Sequence, residues 1–256
     1  MIMKKSMKGN SMKKNVSLSF FIVLVCFLAV FVFVSAEPGS LKVVDAEKYE
    51  ITIGNYDAKI LVPEIKGLAD TKQQDQLNGS FSDHAGELVQ NFISEAKSIR
   101  QQFPEDGPHF ELQYQYEVLY DNEDNMVFRI YEFTAAGSSN YIAQYYTIDK
   151  RTNKLLSLSD ITGGKADAME KIRAYIEESM REYNKNNDMK YWIDDGPEGG
   201  DYKESLDKVF ASIEENRQYY LNQDGQLVIT FNKYDVAPGA MGSPEFIIPN
   251  EILGKN

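Results

Sequence analysis

The sequence predicts an α+β fold: an antiparallel sheet with helices packed on one face, built as two consecutive α/β subdomains. Three observations predict it. Residues 110–120 alternate apolar and polar side chains; residues 77–103 carry an apolar stripe spaced by threes and fours; and the links after residue 120 are too short for crossovers.

The chain opens with five lysines (Lys4, Lys5, Lys8, Lys13, Lys14) and no acid in residues 1–15. Val16 to Val34 follows without a charge, and Val34-Ser35-Ala36 offers small residues of the kind a signal peptidase cuts. Residues 1–36 therefore read as a signal peptide, with the mature chain beginning at Glu37, or as an uncleaved signal anchor, since the apolar run just reaches spanning length. The lysines place the N-terminus inside in both cases. Cys26 follows Val25, where a lipobox needs a small residue, and is the only cysteine, so the exported part has no intrachain disulfide.

Beyond that segment, Tyr49, Ile51 and Ile53 alternate, Gly54-Asn55-Tyr56-Asp57 turns, and Lys59 to Val62 returns to Pro63. Asp70 with Gln73 signals a helix N-terminus. The helix stripe is Leu77, Phe81, Ala85, Leu88, Phe92, Ala96, Ile99 and Phe103, interrupted in strength by Gly79 and Gly86. Phe110, Leu112, Tyr114, Tyr116, Val118 and Tyr120 should share one face of the next strand. Turns at Asp121–Asn125 and Ala136–Ser139 then lead through Met126–Thr134 to Tyr141–Ile148. A helix is predicted from about Ala166 to Asn184 on Met169, Ile172, Ile176, Met180 and Tyr183, and a short one after Asp201 and Glu204. At the end, two extended runs flank Asp224-Gly225; the second flows through Tyr234 into Ala237-Pro238-Gly239-Ala240-Met241-Gly242, and a third runs from Glu245 to Ile248.

Residues 37–256 hold 22 basic and 39 acidic residues, a formal net charge of −17, against −12 for the whole chain. Such a surface repels nucleic acid and anionic polymers and attracts cations and basic proteins; it also suits simple solubility. Catalytic material is sparse. His84 lies beside the helix stripe and reads as a boundary packing residue, and His109 has no HxH or HExxH partner. The acidic groups Asp121, Glu123, Asp124 and Asp194, Asp195, Glu198, Asp201 read as solvated turns; neither has the Gly and Glu spacing of an EF-hand, although an oxygen-rich loop can hold calcium. No metal site and no cofactor is expected. G-x-S-x-G, P-loop and dinucleotide motifs are absent, and Gly163-Gly164-Lys165 lacks the required lead-in. The Tyr- and Phe-rich strands read as half-buried sheet surface, with a carbohydrate-stacking face as the alternative.

The closing stretch YYLNQDGQLVITFNKYDVAPGAMGSPEFIIPNEIL, Tyr219 to Leu253, resembles the end of the RsiV ectodomain, the extracellular part of a family of lysozyme-sensing anti-sigma factors. DKRTNKLLSLSDI, from Asp149, resembles that family's lead into its second half, and Val62-Pro63-Glu64-Ile65-Lys66-Gly67-Leu68 resembles the domain that precedes the catalytic domain of the peptidoglycan deacetylase PdaC. The resemblance implies residues 37–136 as a PdaC-type N-terminal subdomain and residues 137–256 as an RsiV-type C-terminal one. Three positions depart from the family. About fifteen residues precede the apolar run where relatives carry a sigma-binding segment, so anti-sigma activity is not expected. Gly137-Ser138-Ser139-Asn140 stands where relatives often show Gly-Ala-His. Gly239 and Ala240 stand where many carry an aromatic residue.

The resemblance implies an extracytoplasmic, non-enzymatic binding module, secreted or held at the membrane by its N-terminal segment. Its partner would be a basic wall-active protein such as lysozyme, with Tyr234, Pro238 and Met241 as the contact residues. The alternative is a module that binds peptidoglycan glycan directly; a hydrolase with a carboxylate pair comes third.

Overall fold

The computed structural model describes residues 40–103, 108–193, 202 and 204–254, with the backbone alone at 203. The export segment and the acidic residues 194, 195, 198 and 201 lie outside the described residues.

Strands β1 (Lys42–Ile53) and β2 (Tyr56–Lys66) form the first hairpin. The turn is tighter than predicted, because Gly54 takes φ +65° and lets Tyr56 pair directly with Ile53. Helix α1 (Thr71–Gln102) starts where the sequence places it, the Asp70 carboxylate accepting from Gln73 N at 2.9 Å. Strands β3 (Phe110–Asp121), β4 (Asn125–Ala136), β5 (Ser138–Asp149) and the short β6 (Lys154–Leu155) complete a six-stranded sheet in the order β1-β2-β3-β4-β5-β6. Every pairing is antiparallel except β2–β3, which is parallel from Tyr56↔Phe110 to Ile60↔Tyr114. The sheet is thus mixed, not purely antiparallel. The reason is connection length: the 32-residue α1 carries the chain from one end of β2 back to the other.

The predicted stripe of α1 seats Phe81, Ala85, Phe92 and Ala96 on the sheet, against Ala58, Ile60, Leu112, Tyr114, Phe128 and Tyr146. Tyr146 is the pivot of this core, stacked on Phe128 at 4.8 Å and meeting the Phe81 ring edge-on at 5.5 Å. Each such aromatic withdraws enough surface from water to contribute about 1.5–3 kcal/mol. The alternation predicted for β3 breaks at Leu119. A bulge there turns Tyr120 to the opposite face, where its hydroxyl donates to Leu221 O at 2.7 Å, and leaves Val118 41% exposed.

The second core has its own sheet. Helices α2 (Leu158–Thr162), α3 (Ala168–Asn186) and α4 (Tyr202–Ser212) surround strands β7 (Tyr219–Leu221), β8 (Leu227–Thr230) and β9 (Glu245–Ile248), antiparallel in the order β7-β8-β9. Ile172, Ile176 and Met180 of α3 are buried with Ile213, Leu227, Ile229, Phe231 and Ile248. Tyr183, assigned to the same stripe by spacing, instead stays 37% exposed at the end of the helix. The turn before β8 uses five residues rather than two. Asn222 N donates to Gln226 O, the Asn222 side chain accepts from Asp224 N and Gln226 N, and only Gly225 takes a positive φ.

Helices therefore do not share one face of one sheet: α1 covers the six-stranded sheet, and the later helices pack in the second core. The two cores meet along β5. Tyr145 N donates to Arg217 O at 2.9 Å, Leu221 N to Thr147 Oγ1 at 3.2 Å, and the Tyr145 and Tyr220 rings stack at 4.8 Å. Residues 39–256 form one compact unit, and the boundary at 136/137 falls inside the β4–β5 hairpin, whose Ala136↔Ser138 pair turns at Gly137.

Candidate functional site

The loop from Phe231 to Pro244 joins β8 to β9 and is closed at its base by Phe231 N donating to Pro244 O at 2.9 Å. Its first half is a four-residue turn, Asn232 to Asp235, with Asp235 N donating to Asn232 O at 3.0 Å. The Asp235 carboxylate reinforces the turn, accepting from Asn232 N at 2.7 Å and Gln218 Nε2 at 2.8 Å. Burial pushes this carboxyl up, while the same two hydrogen bonds pull it down. Asn232 ties the turn to the main sheet, its Oδ1 accepting from Ala143 N at 3.0 Å.

Tyr234 occupies the third position of that turn with φ +73°, a left-handed conformation that a bulky residue adopts only when its surroundings hold it there. The residue is 50% exposed. Two neighbours fix it. A Cβ on Gly239 would lie 2.3 Å from the ring carbons, so the ring occupies the space that any other residue at 239 would need. Lys233 Nζ stands 5.2 Å from the ring centroid and donates to Ser139 O at 2.6 Å and Ser139 Oγ at 3.2 Å. The second half of the loop is a 3-10 turn over Gly239–Met241, entered through Pro238 at φ −56° and closed by Met241 N donating to Pro238 O at 2.8 Å. Trp192 N donates to Val236 O at 2.8 Å and joins the loop to the segment after α3.

Tyr234, Pro238 and Met241 thus lie on one loop, Tyr234 outermost and the other two half-buried. The Tyr234 hydroxyl is not what orders the loop. Among the described residues that hydroxyl makes no hydrogen bond, and ring contacts and backbone do the holding. The sequence reading missed Lys233, Ser139, Asn232 and Asp235. Asn232-x-x-Asp235 carries a turn signal that local side-chain hydrogen bonding explains; the Lys233–Ser139 contact, across 94 residues, has no local signal.

Other candidates among the described residues have partners within the protein. His84 packs edge-on to Tyr114 at 5.2 Å with Nε2 3.3 Å from Glu132, which raises its pKa. In the acidic turn after β3 the Lys150 ammonium sits between Asp121 Oδ1 at 2.6 Å and Asn122 O at 2.7 Å, the place a cation would take. No group of three His, Cys, Asp or Glu that could hold a metal occurs among the described residues. On the outer face of β4 and β5, Tyr131 and Tyr141 stack on each other at 5.5 Å beneath Arg129, which is paired with Glu117 at 2.7 Å. Those ring faces are engaged within the protein. No helix among the described residues is long and apolar enough to cross a membrane.

Residues 159–251, which contain the whole loop, match the family described as "Protein of unknown function (DUF3298)". The chain is 27% identical over 195 residues to the anti-sigma-V factor RsiV of Bacillus subtilis strain 168, covering 76% of this chain. It spans 63% of that relative's length. The fold is shared with the crystal structure of a DUF3298 member from Bacteroides fragilis NCTC 9343, at a TM-score of 0.53 and 18% identity over 85% of this chain and 94% of that one. The resemblance read from the closing motif therefore holds as a similarity: the chain is similar to RsiV over 195 residues, and residues 159–251 match the DUF3298 family.

Proposed function

We propose that this protein is an extracytoplasmic, non-enzymatic binding module of the cell envelope whose ligand is a basic wall-active protein such as lysozyme. The observation that carries the reading is the Tyr234 ring, half exposed yet held by Gly239 and Lys233 on a left-handed backbone. An aromatic that is fixed before contact loses little entropy on binding, which is what an interface anchor requires. The net charge of −17 over residues 37–256 supports a basic partner, because it draws one in at long range.

Surface plasmon resonance with lysozyme at two salt concentrations tests this. The association rate should fall steeply as the Debye length shrinks to about 3 Å at 1 M salt. Tyr234→Ala or Met241→Ala should speed dissociation, each by about 1–2 kcal/mol. Thermal unfolding of the Tyr234→Ala chain separates lost contact from lost fold. No binding at low salt ends the lysozyme reading.

A second reading, direct binding of peptidoglycan glycan, has one observation in its favour. Along the outer face of β3 the Gln113 amide donates to Glu111 at 2.7 Å and the Gln115 amide to Gln113 at 3.3 Å, a polar row beside the Tyr131 ring. It ranks second because Tyr131 and Tyr141 stack on one another and not outward. Pull-down on purified peptidoglycan discriminates the two readings.

A further inference from the structure

Beside the turn that carries Tyr234, Gln218 is 1% exposed and its amide is half satisfied. Nε2 donates to Asp235 Oδ2 at 2.8 Å, while Oε1 is buried and has no hydrogen-bond partner among the described residues. We propose that Asp235 and Gln218 form a proton-operated latch: the Asp235 carboxyl takes up a proton and donates it in a hydrogen bond to Gln218 Oε1, which tightens the loop around Tyr234.

An ionised carboxylate only accepts hydrogen bonds, so it cannot serve the bare amide oxygen. A carboxylic acid both accepts and donates. It pairs with a primary amide through two bonds, N–H to C=O one way and O–H to C=O the other. One of the two is already in place. Both protein donors, Asn232 N and Gln218 Nε2, enter through Asp235 Oδ2, which leaves Oδ1 to carry the proton. A buried acceptor without a donor is a standing penalty, and the proton removes it.

The surroundings favour the neutral acid. Strand β5 has no charged residue between Ser138 and Ile148, and Tyr191 to Ile193, joined to the loop at Val236, have none either. Lys233, in the same turn, is held by Ser139 and the Tyr234 ring. The Arg217 guanidinium lies 4.7 Å from the Tyr146 ring centroid, and Glu214 and Glu215 before it are exposed. Glu245, on β9, is bonded to Tyr145 and Tyr220. No neighbouring charge offsets the burial of Asp235. That burial raises the carboxyl above its ordinary value, against the pull of the Asn232 and Gln218 bonds.

The latch reaches Tyr234 through the turn. Asp235 Oδ2 accepts from Asn232 N at 2.7 Å and Asp235 N donates to Asn232 O at 3.0 Å, so this residue closes the turn that holds Tyr234 at φ +73°. Because the folded pKa lies above the unfolded one, ionised Asp235 weakens the fold at neutral pH. That cost disappears as pH falls through the folded value toward the unfolded value of about 3.9. The latch is a property of the loop itself and holds whether or not lysozyme binds there.

The test is an NMR titration of the full chain, in neutral detergent, from pH 7.5 to pH 3.5, following Asp235 Cγ, the Gln218 side-chain amide and the Tyr234 ring. All three should move with one midpoint above the ordinary carboxylate value. Asp235→Asn carries its own donor at every pH. At pH 7 its Asn232 amide should exchange about three-fold more slowly than in the parent chain, with Gln218 and Tyr234 signals that no longer depend on pH. Asp235→Ala has neither donor nor acceptor and should exchange faster than the parent. The Asn variant is read at neutral pH, so acid unfolding of the parent leaves the comparison intact, and circular dichroism confirms that each variant is folded. An Asp235 midpoint at or below the ordinary value, a Gln218 amide that does not move with it, or an Asp235→Asn chain that exchanges no more slowly than the parent would each overturn the proposal.

Discussion

At the scale of single residues, the loop rests on two positions with opposite demands. Tyr234 holds a conformation that costs a side chain about 1–2 kcal/mol, and Gly239 must stay bare to seat its ring. Gly239→Ala should therefore destabilise the protein by about 1–3 kcal/mol through overpacking and displace the ring. Tyr234→Gly should be about 1 kcal/mol more stable than Tyr234→Ala, since glycine relieves the backbone while both remove the ring; thermal denaturation of the three variants checks this. From sequence, Gly239 stood out only as a missing aromatic. Its role as a seat depends on a contact five residues away inside an irregular loop, where no periodicity betrays which side chains touch. His84 is the opposite case, legible as a boundary residue from its place beside the stripe. Its hydrogen bond to Glu132 raises its pKa, helped by Glu87 and opposed by burial. The bond's stabilisation is thus fully present below the unfolded value of about 6.5 and lost as pH rises through the folded value. With half the side chain in water the effect is a few tenths of a kcal/mol. Unfolding midpoints at pH 5.5 and pH 8 should differ less in His84→Gln than in the parent chain.

At the scale of elements, strong periodicity was reliable and short or irregular elements were not. The α1 stripe and its Asp70 cap were readable because a helix repeats the same demand over many turns. Its weak points were readable too: a Cβ at Gly79 or Gly86 meets nothing within 4 Å, so neither glycine is needed for close packing. Replacing both by alanine should raise stability by about 0.5–1 kcal/mol each, measured by urea denaturation, with no change in the sheet. No effect would mean that α1 is already saturated by its packing. Helix α2 went unread although Ser157-x-x-Asp160 is a capping box, both halves of which form. At five residues it leaves no apolar period to find. The bulge at Leu119 escaped for a related reason: one extra residue inverts the alternation without leaving a compositional mark.

At the scale of the whole molecule, what the sequence withheld was how the parts join. Local patterns located nearly every strand, yet the parallel β2–β3 pairing and the docking of the second core on β5 depend on contacts between residues far apart in the chain. The Tyr120 hydroxyl reaches Leu221 across 101 positions, and Asn232 reaches Ala143 across 89. These links have a thermodynamic consequence. Strand β5 places Tyr146 and Ile148 in the first core while its Tyr145 backbone and Thr147 side chain bond the second, so neither core unfolds without exposing polar groups that the other satisfies. An unpaired buried donor or acceptor costs about 1–3 kcal/mol, and several such bonds cross this junction. The two cores should therefore melt together. Trp192, the only tryptophan, lies at the second core, so its fluorescence follows that half alone, whereas amide exchange at Phe128 and Ile130 follows the first. Coincident transitions by both probes are expected, as two-state unfolding demands. Asn232→Ala, which leaves Ala143 N without its partner, should lower the common midpoint. Two separated transitions in the parent chain would instead mark the two cores as independently folding units, and the β5 junction as a contact too weak to couple them.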